Sequence, residues 1–283
     1  MLRDIARKVL GDSLARRIWK RVEIIGDIAV LRKPLDFDLE VEAYRNLATE
    51  LMNRLPYVKS VWLAVTPVEG SYRTREFVHL AGEPRSETVY KEHGCLFKLD
   101  ITKVYVSPAL NYEHARIAKL VRPGEEVFNM FAGVGLFSII IAKYSKPKRV
   151  VSVDINPDAF SYMVENVRLN GVSGVVVPVL GDAREVARSC TNCFDRILMP
   201  LPKLAYEYFE DSVLALKDVG IIHVYEFITA KTKNEAIQEA WNKYLRRCKS
   251  IGVKAKVIGS RVVRSVGPRY YQVVLDLQLE KIS

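Results

Sequence analysis

The sequence predicts an α/β protein: a doubly wound, mostly parallel sheet of seven strands ending in an antiparallel hairpin, preceded by a smaller α+β domain. Three observations predict it. From residue 107 onward, short apolar runs alternate with amphipathic stretches of helical length. The first of those runs ends in a glycine turn and the next two end in aspartates, as strands feeding a ligand crevice do. Residues 22–105 instead mix β-rich runs with one helical stretch, an α+β rhythm.

In chain order, residues 1–21 form a basic segment with seven basic and two acidic side chains. Strands are expected at 22–31, 58–65 and 96–106 and a helix at 39–54, which makes a small domain over 22–106. In the domain expected over 107–283, residues 126–131 read as a strand and 136–144 as the helix behind it. Residues 149–154 form the next strand and 157–170 the next helix, with Pro157 in the first turn, where a missing N–H costs nothing. Strands follow at 175–180, 196–199 and 220–227, and helices at 204–216 and 233–249. Residues 254–263 and 270–279, separated by Gly267-Pro268, read as a hairpin.

Composition removes several function classes. Of 283 residues, 49% are apolar, enough for a packed core. No apolar run approaches the roughly 18–20 residues of a membrane span. Charges run through the first 21 residues with no apolar h-region, so no secretory signal is read and a cytoplasmic protein is expected. Four cysteines are too few for a disulfide scaffold. Cys190 and Cys193 form a CxxC without a second pair at zinc spacing, so no metal is expected and the motif reads as a surface turn before a strand.

The net charge is +10, and its placement matters more than its size. From Lys243 to Arg269 there are nine basic residues and no acid. A solvated face ordinarily mixes signs, so this tract and the basic N-terminal helix point to a polyanion, with Arg246, Arg247, Arg261 and Arg264 as candidate phosphate contacts.

The candidate cofactor site lies at the strand ends. The first strand runs through Phe131 into Gly133 and Gly135, where glycine permits tight turning and close ligand approach. The second ends in Asp154, followed by Ile155, 21 residues after Gly133, where a carboxylate can accept from ribose hydroxyls. The third ends in Asp182-Ala183, placing a carboxylate where it can accept from an adenine amino group. The pair makes a coherent nucleoside pocket. A nicotinamide cofactor is disfavoured, because Ser138 stands where the dinucleotide fingerprint has its third small residue against pyrophosphate.

At these residues the sequence resembles the archaeal and eukaryotic tRNA guanine-37 N1-methyltransferases and their wyosine-pathway relatives. The likeness runs through IIGDIAVL, VEGSYRTREFVHLAGE, TVYKEHGCLFKLDITKVYVSPAL, FAGVGLFSI, VDINPDA, VENVRLN, LGDAREV, DRILMPLP, GIIHVYEF and VRSVGPRYYQVVLDL, over about residues 22–280. It implies a class I, Rossmann-like methyltransferase domain that uses S-adenosylmethionine and acts on the anticodon loop of tRNA. The family's additional N-terminal tRNA-elbow domain is expected to be missing, since only about twenty residues precede the likeness.

The resemblance also implies residue roles. Arg73 matches an arginine that contacts the target base, Glu113 the general base for the base nitrogen, and Pro200-Leu201-Pro202 a turn against the target base. Gly133, Asp154 and Asp182 match cofactor contacts. The chemistry is coherent: a protonated ring nitrogen must lose its proton, a nearby carboxylate can take it, and a guanidinium can stabilise an enolate-like oxygen. Structural readings compete, with Glu113 as a helix-start carboxylate and Arg73 as a surface partner of Glu76 or Glu69. Tyr112, Tyr225 and Phe227 are equally candidates for base stacking and for the core.

Three departures bear on the acceptor. Ala109 and His114 replace two arginines of the family pattern, and Pro200 replaces an asparagine, removing an amide that can donate and accept at a base edge. A tricyclic wyosine precursor has a different edge, so C7 of 4-demethylwyosine is favoured while N1 of guanosine stays open. Two further readings remain. One is transfer of the aminocarboxypropyl group of the same cofactor, which Ala109 favours. The other is an RNA-binding protein that keeps the fold without the chemistry. A monomer is expected.

Overall fold

A computed structural model describes residues 2–19, 21–34, 37, 39–68, 70 and 72–282. These fall into two compact units, one ending at Pro108 and the other starting at Ala109.

The first unit holds α1 (Leu2–Ala15), β1 (Glu23–Ile25), β2 (Ile28–Arg32), α2 (Val41–Arg54), β3 (Ser60–Ala64), β4 (Phe77–Gly82), β5 (Glu87–Glu92) and β6 (Cys95–Asp100). Strands β1 to β4 form one sheet in sequence order, while β5 and β6 pair as a separate antiparallel ribbon. The β2–β3 pair is parallel, with α2 as its crossover. Leu2, Ile5 and Ala6 of α1 and Tyr44, Leu47 and Leu51 of α2 pack with Ala29, Leu31, Val61 and Leu63 of the sheet. Burial of that apolar stripe is what makes a short helix such as α1 stable.

Two sequence expectations change here. The run 22–31 is two strands, because Gly26 turns the chain at φ 60°. A Cβ at Gly26 would lie 2.2 Å from Thr88 Oγ1. Strands β4 and β5 were not expected. In β5 alternate residues Thr88, Tyr90 and Glu92 are buried, and the buried glutamate disguises the period-two pattern of a strand.

The second unit is the doubly wound domain. It holds α3 (Asn111–Leu120), β7 (Glu126–Asn129), α4 (Leu136–Tyr144), β8 (Arg149–Asp154), α5 (Pro157–Leu169), β9 (Val176–Leu180) and α6 (Ala183–Ser189). These are followed by β10 (Phe194–Met199), α7 (Phe209–Ala215), β11 (Leu216–Thr229), α8 (Lys233–Ser250), β12 (Val253–Gly267) and β13 (Tyr270–Lys281). The seven strands run in the order β12-β13-β11-β10-β7-β8-β9, antiparallel only where β13 meets its two neighbours. The order reverses between β7 and β10, which opens a crevice at the carboxyl ends of the strands. Pro178 sits in β9, an edge strand, where its missing N–H breaks no ladder. A capping box of Thr232 and Glu235 starts α8.

The helix expected over 204–216 is confined to α7. Before it, Leu201 O accepts from both Leu204 N and Ala205 N, so the chain turns irregularly after Pro200 and Pro202 and sends Tyr206 and Tyr208 to different neighbours. The turn before β10, read as a simple surface turn, is closed by a Cys190–Cys193 disulfide. Among the described residues, no helix is long and apolar enough to cross a membrane, and no cluster of His, Cys, Asp or Glu is arranged to hold a metal ion.

Candidate active site

The crevice begins at the loop between β7 and α4. Gly133 and Gly135 take φ values of 55° and 94°, the left-handed region that glycine alone enters without strain. The loop is pinned from behind, where Asn166 Nδ2 donates to Val134 O at 3.1 Å. Ser138, the residue that departs from the dinucleotide fingerprint, is fully buried. Its hydroxyl joins Asn129 Nδ2 at 3.0 Å and Ser152 Oγ at 2.7 Å, tying α4 to β7 and β8.

Asp154 ends β8 and accepts from Gly133 N at 2.7 Å and from Asn156 N at 3.0 Å. Burial raises its pKa above the ordinary aspartate range, against the lowering effect of those backbone donors. Each carboxylate oxygen keeps a second lone pair for an incoming hydroxyl. Asp182 caps α6 through Arg184 N at 2.8 Å, and its other oxygen accepts from Tyr208 OH at 3.1 Å. The Tyr208 ring meets Phe131 edge-on at 5.4 Å. Ile155 is exposed and Ala183 buried. A Cβ added at Gly133 or Gly181 would meet no protein atom within 4 Å, so the space before both glycines is open. Two carboxylates, open glycine turns and the absence of a phosphate-type third glycine fit the nucleoside of S-adenosylmethionine.

A second cluster lies on the α3 side of the same unit. Glu113, in the first turn of α3, is only 1% exposed. Arg116 Nε sits 3.1 Å and 3.0 Å from its two oxygens, Tyr225 OH donates at 3.0 Å, and Arg261 Nη1 approaches to 3.0 Å. A helix-start carboxylate interacting with the dipole alone would need none of these partners. Burial beside Glu113 raises the Tyr225 phenol well above its ordinary pKa, keeping it a donor. Phe137, in the first turn of α4, joins the cluster to the glycine loop through ring contacts with His114 at 4.4 Å and Tyr225 at 6.0 Å.

The other expected residues are spread out. Arg73 belongs to the first unit, at a left-handed φ of 55° with its guanidinium 4.7 Å from the Tyr105 ring centre. Glu69, one of its expected partners, lies outside the described residues. Pro200 follows β10 and is half-buried. Tyr225 is 1% exposed, whereas Tyr112 is 63% exposed with Arg261 stacked 4.2 Å above its ring. Phe227 packs against Tyr270 at 5.4 Å. Of the four candidate phosphate-binding arginines, Arg246 is exposed, Arg247 pairs with Glu210 at 3.2 Å and Arg264 donates to Gln272 at 2.8 Å. Arg261 is turned toward Glu113. Sequence reasoning passed over Arg116, Arg196, His223 and Asp276, whose signal was polar residues inside the apolar runs GIIHVYEF and VVLDL.

Residues 88–257 match the model of the TRM5/TYW2 methyltransferase domain, and residues 2–85 that of the TYW2 N-terminal domain. The chain belongs to the TRM5/TYW2 methyltransferase family. Within it, the tRNA 4-demethylwyosine(37)-methyltransferase of Saccharolobus solfataricus is 43% identical over 92% of this chain and 94% of its own length. The crystal structure of wild-type Trm5b from Pyrococcus abyssi superposes with a TM-score of 0.84 at 37% identity, covering 97% of this chain and 80% of that one. The M. jannaschii TYW2 structure in complex with AdoMet gives 0.71 at 29% identity, over 93% and 100% of the two chains. The strand order and the smaller N-terminal unit are those of the TRM5/TYW2 fold.

Proposed function

We propose that this family member is an S-adenosylmethionine-dependent tRNA methyltransferase acting on the purine at position 37, with C7 of 4-demethylwyosine the favoured acceptor and N1 of guanosine the other. The observation that carries the reading is the Glu113 carboxylate. It is withdrawn from solvent, held by donors from α3, β11 and β12, and coupled through Phe137 to the glycine loop of a nucleoside crevice.

When bound, S-adenosylmethionine supplies a methyl group already activated on a sulfonium, so alignment is the main demand on the protein and the scheme calls on no metal. Asp154 receives the ribose hydroxyls and Asp182 the adenine amino group, with Phe131, Gly133, Gly135, Ile155 and Ala183 forming the walls. Glu113 takes the proton that the base gives up as it gains the methyl. The resemblance assigns Arg73 to the target base. Pro200 at the end of β10 presents a ring where an amide would read guanine, which suits the tricyclic precursor, as does the likeness to the Saccharolobus enzyme. Arg246 and its basic neighbours supply phosphate contacts. The proposed state is a monomer working in the cytoplasm, where tRNA is modified.

The test is direct. Purified protein is incubated with labelled cofactor and either unmodified tRNA or tRNA carrying 4-demethylwyosine, and the digested nucleosides are identified by mass. Methyl gain on the tricyclic base is expected; turnover confined to plain guanosine refutes the favoured acceptor. A second reading, aminocarboxypropyl transfer, draws on Ala109 and on the match of residues 2–85 to the TYW2 N-terminal domain. It leaves methylthioadenosine rather than S-adenosylhomocysteine, so the spent cofactor separates the two.

A further inference from the structure

The Glu113 cluster does not end at its first partners. Arg116 uses Nε on Glu113 and both terminal nitrogens on Asp276, with Nη1–Oδ2 at 2.6 Å and Nη2–Oδ1 at 3.1 Å. Asp276 Oδ1 also lies 2.6 Å from His223 Nδ1, directly across the β11–β13 register. His223 Nε2 lies 2.7 Å from Arg196 Nη1. Arg196 is closed off by Glu125, at 2.7 Å and 2.9 Å, and by Leu120 O at 2.8 Å, the last residue of α3. The chain of contacts therefore starts at the first turn of α3, crosses three strands and returns to the end of the same helix.

We propose that Arg116, Asp276 and His223 are positioning residues that hold the Glu113 carboxylate in one orientation toward the reacting base. The inference rests on the proposed role of Glu113. A guanidinium is planar, so a carboxylate gripping its terminal nitrogens fixes the direction of its Nε–H. That N–H is shared between the two Glu113 oxygens, and fixing it fixes the plane of the carboxylate. Asp276 is held in turn by His223. Because a guanidinium can only donate, His223 Nε2 facing Arg196 must be the acceptor, which puts the imidazole proton on Nδ1 and aims it at Asp276. Burial acts the same way, pushing the His223 pKa down and keeping the ring neutral. Room for the Asp276 carboxylate is provided across the β12–β13 pair by Gly259, where a Cβ would come within 2.5 Å of Asp276 Oδ2.

A network that only anchored α3 would change stability and leave turnover intact, so the test reads both. Three variants, Asp276→Asn, Arg116→Lys and Gly259→Ala, are compared with Glu113→Gln for kcat, for KM on tRNA, for cofactor Kd and for melting temperature. The alanine removes no polar group and demands no left-handed backbone; it acts only by displacing Asp276. The expected result is a kcat loss of about 10- to 100-fold, the scale of a misplaced catalytic group, with KM and cofactor Kd within about twofold of wild type. Adding Asp276→Asn to Glu113→Gln should cost nothing further, because both act through one carboxylate. If Glu113→Gln keeps wild-type turnover, the proposed role of Glu113 fails. If Glu113→Gln is inactive while folded Asp276→Asn and Gly259→Ala keep wild-type kcat, the positioning inference alone fails. Should the polar variants not fold, Gly259→Ala and nitrogen-15 NMR of the wild-type protein decide. An Nδ1-protonated, neutral His223 is expected, and an Nε2–H tautomer or an imidazolium overturns the inference.

Discussion

Replacing Asp154 with Asn is the sharpest probe of the cofactor crevice. The two Asp154 oxygens accept from Gly133 N at 2.7 Å and Asn156 N at 3.0 Å, so an amide in their place turns an NH2 group toward one of those N–H donors whichever way it is placed. The donor left without an acceptor costs about 1–3 kcal/mol, which appears as a lower melting temperature. Cofactor binding loses more. Two ribose hydroxyls that would donate to an anion, at about 1.5–3 kcal/mol each, would meet a neutral amide at about 0.5–1.5 kcal/mol each. The difference is about 2–4 kcal/mol, or roughly 30- to 700-fold in Kd.

Acid adds an independent signature. Burial raises the Asp154 pKa in the free protein, and hydroxyl donors favour the anion, so bound cofactor lowers it again. Protonation therefore competes with binding, and affinity should fall on acidification, starting above the ordinary aspartate range. Titration calorimetry at neutral and acid pH measures both effects, with thermal melts as the control for folding. A folded Asp154→Asn protein with wild-type Kd, or one whose affinity responds to acid as the wild type does, would refute the placement of the nucleoside at the end of β8.

Arg261→Ala should raise KM for tRNA and also change kcat, by about fivefold from the loss of one half-exposed ion pair, because the guanidinium touches Glu113 as well as solvent. Steady-state kinetics that move KM alone would return Arg261 to a plain phosphate contact. Pro200→Asn should shift selectivity toward unmodified guanosine by about tenfold, the scale of one good base-edge contact, read as a ratio of kcat/KM on the two tRNAs; an unchanged ratio removes Pro200 from acceptor choice. Stability should fall as pH drops below the ordinary histidine value of 6.5. The unfolded chain then protonates residue 223 while the fold keeps it neutral, at about 1.4 kcal/mol per pH unit. Asp154, with its raised pKa, contributes in the opposite direction at lower pH. Urea unfolding at pH 7 and pH 5.5 checks this, and equal stabilities would mean that His223 is protonated in the fold.

The domain from residue 109 was legible because each of its strands is a short apolar run ended by a residue with a visible task, such as Gly133, Asp154 or Asp182. The first unit was harder. β4 is partly exposed along its whole length apart from Leu80, and β5 hides its period behind a buried glutamate, so neither stands out from the surrounding loops. The region after β10 misled for a different reason. Its spacing is helical, but two prolines and aromatic rings bound for opposite neighbours override that local preference. At the site, Glu113 could be named from its motif, but its partners could not. Tyr225 is 112 residues away and Asp276 is 160 residues from Arg116, distances bridged only by sheet register. What the sequence did carry was an anomaly, a histidine and an aspartate at core positions of β11 and β13, and buried polar residues of that kind ask for partners.

Charge bookkeeping explains why the cluster takes this form. Three carboxylates, Glu113, Glu125 and Asp276, face three arginines, Arg116, Arg196 and Arg261, with a neutral His223 between them. Buried ion pairs are poor sources of stability compared with apolar packing, since desolvation offsets most of their attraction. A balanced set of buried charges is better understood by what happens when one of them is neutralised. If Glu113 accepts the proton of the target base, the cluster becomes cationic by one unit just as the base becomes anionic by one. The two charges then stabilise each other in a site shielded from water, where such attraction is strong. An isolated buried carboxylate could take the same proton, but it would leave nothing positive behind to hold the anion it had made.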